Sequence, residues 1–139
     1  MLKKAVKFSL VCAFVLFLVS SAFSEPMSIP EGATCYECGM EVDVNSSFSA
    51  QMIVGGKLLA FCDIGDMLYH YNKMKEKPDM LYVRDYATGA WIDALKASYV
   101  KSKKFKTPMD WGIAAFKEKD AALKAGNALS FEEALKIVK

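Results

Sequence analysis

Apolar residues recur along this chain in three rhythms, and each rhythm predicts a different element. Between positions 8 and 24 there is no charge, and Leu10, Val11, Phe14, Val15, Leu16, Phe17, Leu18 and Val19 form one short apolar segment. Further on, Ser49-Ala50-Gln51-Met52-Ile53-Val54 and Lys57-Leu58-Leu59-Ala60-Phe61-Cys62 flank Gly55-Gly56. Two apolar runs joined by a pair of glycines predict a β-hairpin, because a two-residue turn needs positive φ angles. From Asp63 the period lengthens. Ile64, Met67, Leu68, Tyr71 and Met74 fall at helical spacing, Asp63 is placed to cap the helix and Pro78 to stop it. Met80-Leu81-Tyr82-Val83-Arg84 then predicts a third strand, so the unit is β-β-α-β.

The second half repeats that order: a strand over 92–100, another over 111–116, a short helix over 120–125 and a returning strand over 128–131. Ala60-Phe61 before the first helix matches Ala115-Phe116 before the second at an offset of 55 residues. The predicted fold class is therefore α+β, two similar ββαβ units forming one small domain, with units of about 35–87 and 88–139. At that offset Cys62 falls opposite Lys117, so any chemistry at Cys62 belongs to the first unit.

Lys3, Lys4 and Lys7 precede the first apolar segment, and Ala22-Phe23-Ser24 ends it with a small-x-small pattern. Positions 1–24 thus read as an export signal cleaved after Ser24, which places the mature protein in the periplasm. A membrane-spanning helix would need about 20 predominantly apolar residues, whereas this run breaks at Ser20, Ser21 and Ser24. Cys12 follows Val11 with much of the apolar run still ahead, which does not suit a lipidation site, and it leaves with the signal. Residues 25–34, with Pro26, Pro30 and Gly32, read as a linker or arm. Cleavage removes three of the 18 basic residues and none of the 16 acidic ones, so the formal charge falls from +2 to −1. That balance gives no sign of a nucleic-acid partner, and none is expected; Lys101-Ser102-Lys103-Lys104-Phe105-Lys106 reads as a solvated loop.

Three thiols remain after cleavage: Cys35, Cys38 and Cys62. An odd number in an oxidising compartment leaves one sulfur outside any intramolecular disulfide. Cys35-Tyr36-Glu37-Cys38-Gly39-Met40 sets two thiols and a thioether close together, and soft sulfur donors of this kind select Cu(I), zinc or iron–sulfur sites, the thioether favouring Cu(I). Met109 lies in the turn-like stretch Thr107-Pro108-Met109-Asp110, outside any apolar period, where it can present a further sulfur. Trp91, Tyr99, Phe105 and Trp111 are core aromatics that could also shield such a site, and Met52, Met67, Met74 and Met80 read as packing. Three alternatives stand beside a Cu(I) site: a Cys35–Cys38 disulfide with Met40 in the core, a thiol–disulfide oxidoreductase acting through Cys35 and Cys38, and a structural zinc site of Cys35, Cys38, Cys62 and His70. No nucleophile–base pair, phosphate loop or carboxylate dyad is visible, so the chain reads as a binding protein and not an enzyme.

Cys38-Gly39-Met40, the Gly55-Gly56 hairpin ending in Phe61-Cys62-Asp63, the strand Leu81-Tyr82-Val83-Arg84-Asp85-Tyr86 and Pro108-Met109 ahead of Ala115-Phe116 occur here in that order. In this the chain resembles NosL, the nitrous oxide reductase accessory lipoproteins, from about Cys35 to Phe131. The resemblance implies a periplasmic Cu(I) chaperone built from two homologous ββαβ units, with Cys38, Met40 and Met109 as ligands. It also implies a copper donor and a copper-receiving enzyme, nitrous oxide reductase, as partners. Two features differ from the family pattern: no cysteine stands near Ser24, where the family carries its lipid anchor, and Cys35 adds a Cys-x-x-Cys that the shorter motif does not require.

Overall fold

Gly55 and Gly56 both take positive φ, at 55° and 75°, and close the predicted hairpin. They join strand β1 (Ala50–Val54) to β2 (Lys57–Phe61), antiparallel, with Ala50 opposite Phe61 and Val54 opposite Lys57. Helix α1 (Ile64–Lys73) starts at Asp63, whose carboxylate accepts the Gly65 amide at 2.9 Å. Strand β3 (Met80–Arg84) returns antiparallel to β1. The hydrophobic period therefore gives the order of the first unit as predicted, except that α1 ends at Lys73, where Met74 turns extended as its C-cap, and not at Pro78. This structure, a computed structural model, describes residues 25–139. The expected export signal, its cleavage point and Cys12 lie outside the described residues.

The second half contains β4 (Trp91–Asp93), β5 (Ser98–Lys101), β6 (Ile113–Phe116), α2 (Lys119–Ala125) and α3 (Phe131–Ile137). One sheet runs β2-β1-β3-β4 and the other pairs β5 with β6. The single strand expected over 92–100 is two strands. Asp93 breaks it, its carboxylate accepting the Leu95 amide at 2.9 Å and its carbonyl the Lys96 and Ala97 amides at 3.1 Å, which turns β4 onto β3 and β5 onto β6. The strand expected from Trp111 begins only at Ile113, because Asp110 and Gly112 take positive φ of 59° and 65°. The returning strand expected over 128–131 is one bridge, Leu129 to Tyr99, followed by a helix that was not predicted. Ser130 and Glu133 form a capping box there, and the capped turn takes the chain out of extended conformation.

With those corrections the two units match in the pairing of their hairpins and in the helix that follows, while β4 joins the first sheet and α3 has no counterpart. Ala50 faces Phe61 as Ser98 faces Phe116, and Gln51 pairs with Ala60 and Tyr82 as Tyr99 pairs with Ala115 and Leu129. The helices that follow begin 55 residues apart, at Ile64 and Lys119. A parallel bridge from Asp85 to Ala115 joins the two sheets, with the Tyr86 amide bonded to the Ala115 carbonyl at 2.8 Å. Met52, Phe61, Ile64, Met67, Leu68, Val83, Tyr99 and Ile113 are fully buried between the sheets and α1, and Phe131, Ala134 and Val138 close the core from α3. The arm ahead of Cys35 is tied down too: Met27 exchanges both backbone bonds with the buried Gln51 side chain, at 2.8 and 2.9 Å, and Ile29 enters the core.

Candidate metal centre

The segment carrying Cys35 and Cys38 folds into a tight loop because its backbone bonds to itself. The Gly39 amide reaches the Cys35 carbonyl at 2.9 Å, the Cys35 amide reaches the Met40 carbonyl at 2.6 Å, and Thr34 bridges Glu41. Gly39 sits at φ 77°, a conformation that costs other residues, and this allows the return. Two attachments aim the loop. Tyr36 donates its amide to the Ala60 carbonyl at 2.8 Å, two residues before Cys62, and the Glu37 carboxylate bonds His70 at 2.8 Å and Lys73 on α1.

The result is a cluster of four groups, Cys35, Cys38, Cys62 and Asp66, whose ligand atoms all lie within 4.8 Å of one another. The Cys38 and Cys62 sulfurs are 3.4 Å apart, and the Asp66 Oδ2 accepts from the Cys35 thiol at 3.5 Å and the Cys62 thiol at 3.8 Å. All three are free thiols, so Cys35 and Cys38 are not a disulfide here. Cys35, Cys62 and Asp66 are buried, whereas Cys38 is half-buried and forms the open side of the cluster. Burial raises the Cys38 pKa, although the Met40 amide and the Cys62 thiol donate to its sulfur, and burial together with the neighbouring Cys38 and Cys35 pushes the Cys62 thiol far up.

Asp66 was not among the residues expected here. It sits four residues after Cys62 on the first turn of α1, and a carboxylate only 4% exposed on an otherwise apolar stripe is the sign that would have marked it. Its second oxygen accepts the Trp111 indole N–H at 2.8 Å, a bond from the second unit into the first. Gly65 lets that ring approach the helix. Asp63 also has a second role: besides capping α1, its Oδ2 accepts the Met109 amide at 2.9 Å, which holds the 107–110 turn beside the cluster. Burial raises the Asp63 pKa against the bonds from Thr107, Met109 and Gly65.

The four-residue zinc set expected with His70 is not assembled. His70 is engaged by Glu37 and by the rings of Tyr36 and Phe61, at centroid distances of 5.1 and 5.6 Å, and Asp66 occupies the fourth place. Met40 and Met109 are 50% and 40% exposed, so neither is a core methionine, while Met52 and Met67 are fully buried as packing. Of the four aromatics expected as shields, Trp111 bonds the cluster; Trp91 lies under Arg84, Tyr99 donates to the Ala94 carbonyl, and Phe105 packs with Tyr86 and Phe116.

No curated protein sequence matches the chain significantly. Among solved structures, it is similar to the crystal structure of the copper chaperone NosL from Shewanella denitrificans, with a TM-score of 0.69 at 20% identity over 78% of this chain and 94% of that one. A likeness at that identity is one of fold. Membership is carried by the sequence itself: the NosL family model matches residues 26–133, nearly the whole described chain, and the protein therefore belongs to the NosL family.

Proposed function

We propose that this protein is an exported Cu(I) chaperone. In this reading it takes the ion from a copper donor, holds it at Cys35, Cys38 and Cys62 with Met40 and Met109 at the rim, and passes it to a copper enzyme, nitrous oxide reductase. The observation that carries this reading is the convergence of three free thiols from two separate segments on one small site. Copper is cargo here. Its soft monovalent form suits thiolates and thioethers, and the half-buried Cys38 flanked by exposed Met40 gives an incoming thiol a place to begin ligand exchange. Export rests on the N-terminal pattern, and among the described residues no helix is long and apolar enough to cross a membrane.

Two other readings meet these observations differently. A thiol–disulfide oxidoreductase sets its reactive thiol at a helix N-terminus with a lowered pKa, whereas Cys38 stands in a non-helical loop where burial raises its pKa. A structural zinc site is favoured by one observation, the Asp66 carboxylate, which completes a set of four acceptable zinc ligands. The methionines separate zinc from copper, since a thioether contributes to a Cu(I) site and little to a zinc site. The test is a competition titration of reduced protein with a Cu(I) chelator, beside a Zn(II) titration. Met40→Ala and Met109→Ala are expected each to weaken Cu(I) binding by roughly tenfold, the low end of what losing a supporting partner costs a metal site. His70→Ala is expected to leave it unchanged. Methionine variants that bind Cu(I) like the parent, in a protein that a zinc chelator unfolds, would replace the chaperone reading with the zinc one.

A further inference from the structure

The two units differ most in how they close their hairpins. The first uses two residues, Gly55 and Gly56, while the second spends eleven, 102–112, between β5 and β6. Closing a hairpin does not require that length, and long ordered loops on a repeated scaffold are where function is added. Lys101 at the end of β5 and Lys103, Lys104 and Lys106 in the loop are all four exposed. Among the described residues none of the four makes an ion pair. They are four of the fifteen basic residues left after position 24, in a chain whose charge there is −1.

The loop is also held rigid. Ser102 and Gly112 bond across its neck at 2.8 Å, Gly112 donates to the Thr107 hydroxyl at 3.1 Å, and Lys104 donates to the Ser102 hydroxyl at 3.2 Å. Phe105 turns inward against Tyr86, Phe116 and Phe48. The lysines therefore stand on a fixed frame, and Lys101, Lys103 and Lys106 line a cavity of about 530 Å³ that also takes in Trp111 and Asp110. The same segment runs on to Met109, whose amide is fixed by Asp63, and to Trp111, whose indole bonds Asp66. The wall of that cavity thus includes Trp111, which is hydrogen-bonded to the Asp66 of the thiol cluster.

We propose that loop 101–112 is the docking surface for an acidic segment of the protein that receives the metal. The proposal rests on the chaperone reading for the identity of that partner. The charge supplies the complementarity, and the position explains why steering at this spot is useful.

The test uses the full mature chain and a pair of synthetic acceptor peptides, each with one Cys-x-x-Cys pair, flanked in one peptide by glutamates and in its twin by glutamines. Stopped-flow transfer from the Cu(I)-loaded protein is expected to be about tenfold faster to the glutamate peptide at low salt, within the range that electrostatic steering gives. High ionic strength is expected to remove the difference. The triple variant Lys103→Gln, Lys104→Gln, Lys106→Gln should lose the preference with its Cu(I) affinity unchanged. Lys101 is left in place because it lies over the Trp111 ring at 6.0 Å. Fluorescence anisotropy of the labelled glutamate peptide with metal-free protein measures docking without copper, so a protein that fails to load Cu(I) sinks the chaperone reading and leaves this arm to decide the surface. Equal transfer to both peptides, a preference that survives the triple variant, or lysine-dependent binding to phosphatidylglycerol vesicles in place of the peptide would overturn the proposal.

Discussion

Cys62→Ser lowers Cu(I) affinity by more than about a hundredfold, beyond the 10–100-fold that loss of an outer partner costs a metal site, while the protein stays folded. Cys62 lies inside the cluster, bonded to Cys38 and to Asp66 and only 2% exposed. A serine hydroxyl there can still donate to Asp66, so the fold loses little. What it cannot offer is a polarisable anionic sulfur, and Cu(I) discriminates strongly against hard oxygen donors. Cys38→Ser is expected to behave alike, since it removes the half-buried thiol on the open side of the cluster. Chelator competition and thermal melting on the same samples check this. Affinity within tenfold of the parent in both variants would show that the thiol cluster is not where copper binds.

Gly65→Ala tests how the two units are joined. Alanine is the better helix residue by up to about 1 kcal/mol, so α1 considered alone predicts a stabilised protein. The tertiary structure predicts the opposite: a Cβ at Gly65 would overlap Cβ, Cγ and Cδ1 of Trp111, and the ring has to leave. Its departure breaks the indole bond to Asp66 and leaves a buried carboxylate oxygen without that donor. Overpacking costs typically 1–3 kcal/mol and an orphaned buried acceptor a similar amount, so the net expected loss is about 2–4 kcal/mol, or roughly 10 °C or more in Tm for a domain of this size. A melting temperature equal to or above the parent's would mean that Trp111 is not packed on α1 in solution.

The first unit was legible because its signals are periodic and local: a glycine-pair turn, an Asp cap, a stripe at helical spacing. The second unit was blurred where one side chain overrules the period. Asp93 breaks what reads as one apolar run, and Ser130 with Glu133 turns the end of the strand expected over 128–131 into the start of a helix that buries Phe131 and Ala134. At the site, the sulfur residues announced themselves by type and spacing. Asp66 did not, because an aspartate is by default a solvated residue and only burial marks this one. Trp111 bonds it across 45 positions of sequence, a relation that no local pattern carries. His70 was drawn into the zinc set for its chemistry alone, and its true partner, Glu37, lies between the two cysteines it was meant to join.

The bond from Trp111 to Asp66 also makes the protein its own optical probe. The chain has two tryptophans, and Trp91 is occupied by the Arg84 guanidinium 3.9 Å above its ring, so its emission forms a steady background. Trp111 donates to the carboxylate that accepts from Cys35 and Cys62. An ion that draws those sulfurs away changes the field at the indole, and loading can then be followed as a shift in intrinsic fluorescence with no dye or chelator in the cuvette. Trp111→Phe silences that shift and leaves the background, which turns one hydrogen bond between the halves of a duplicated fold into a real-time record of the cargo's arrival and departure.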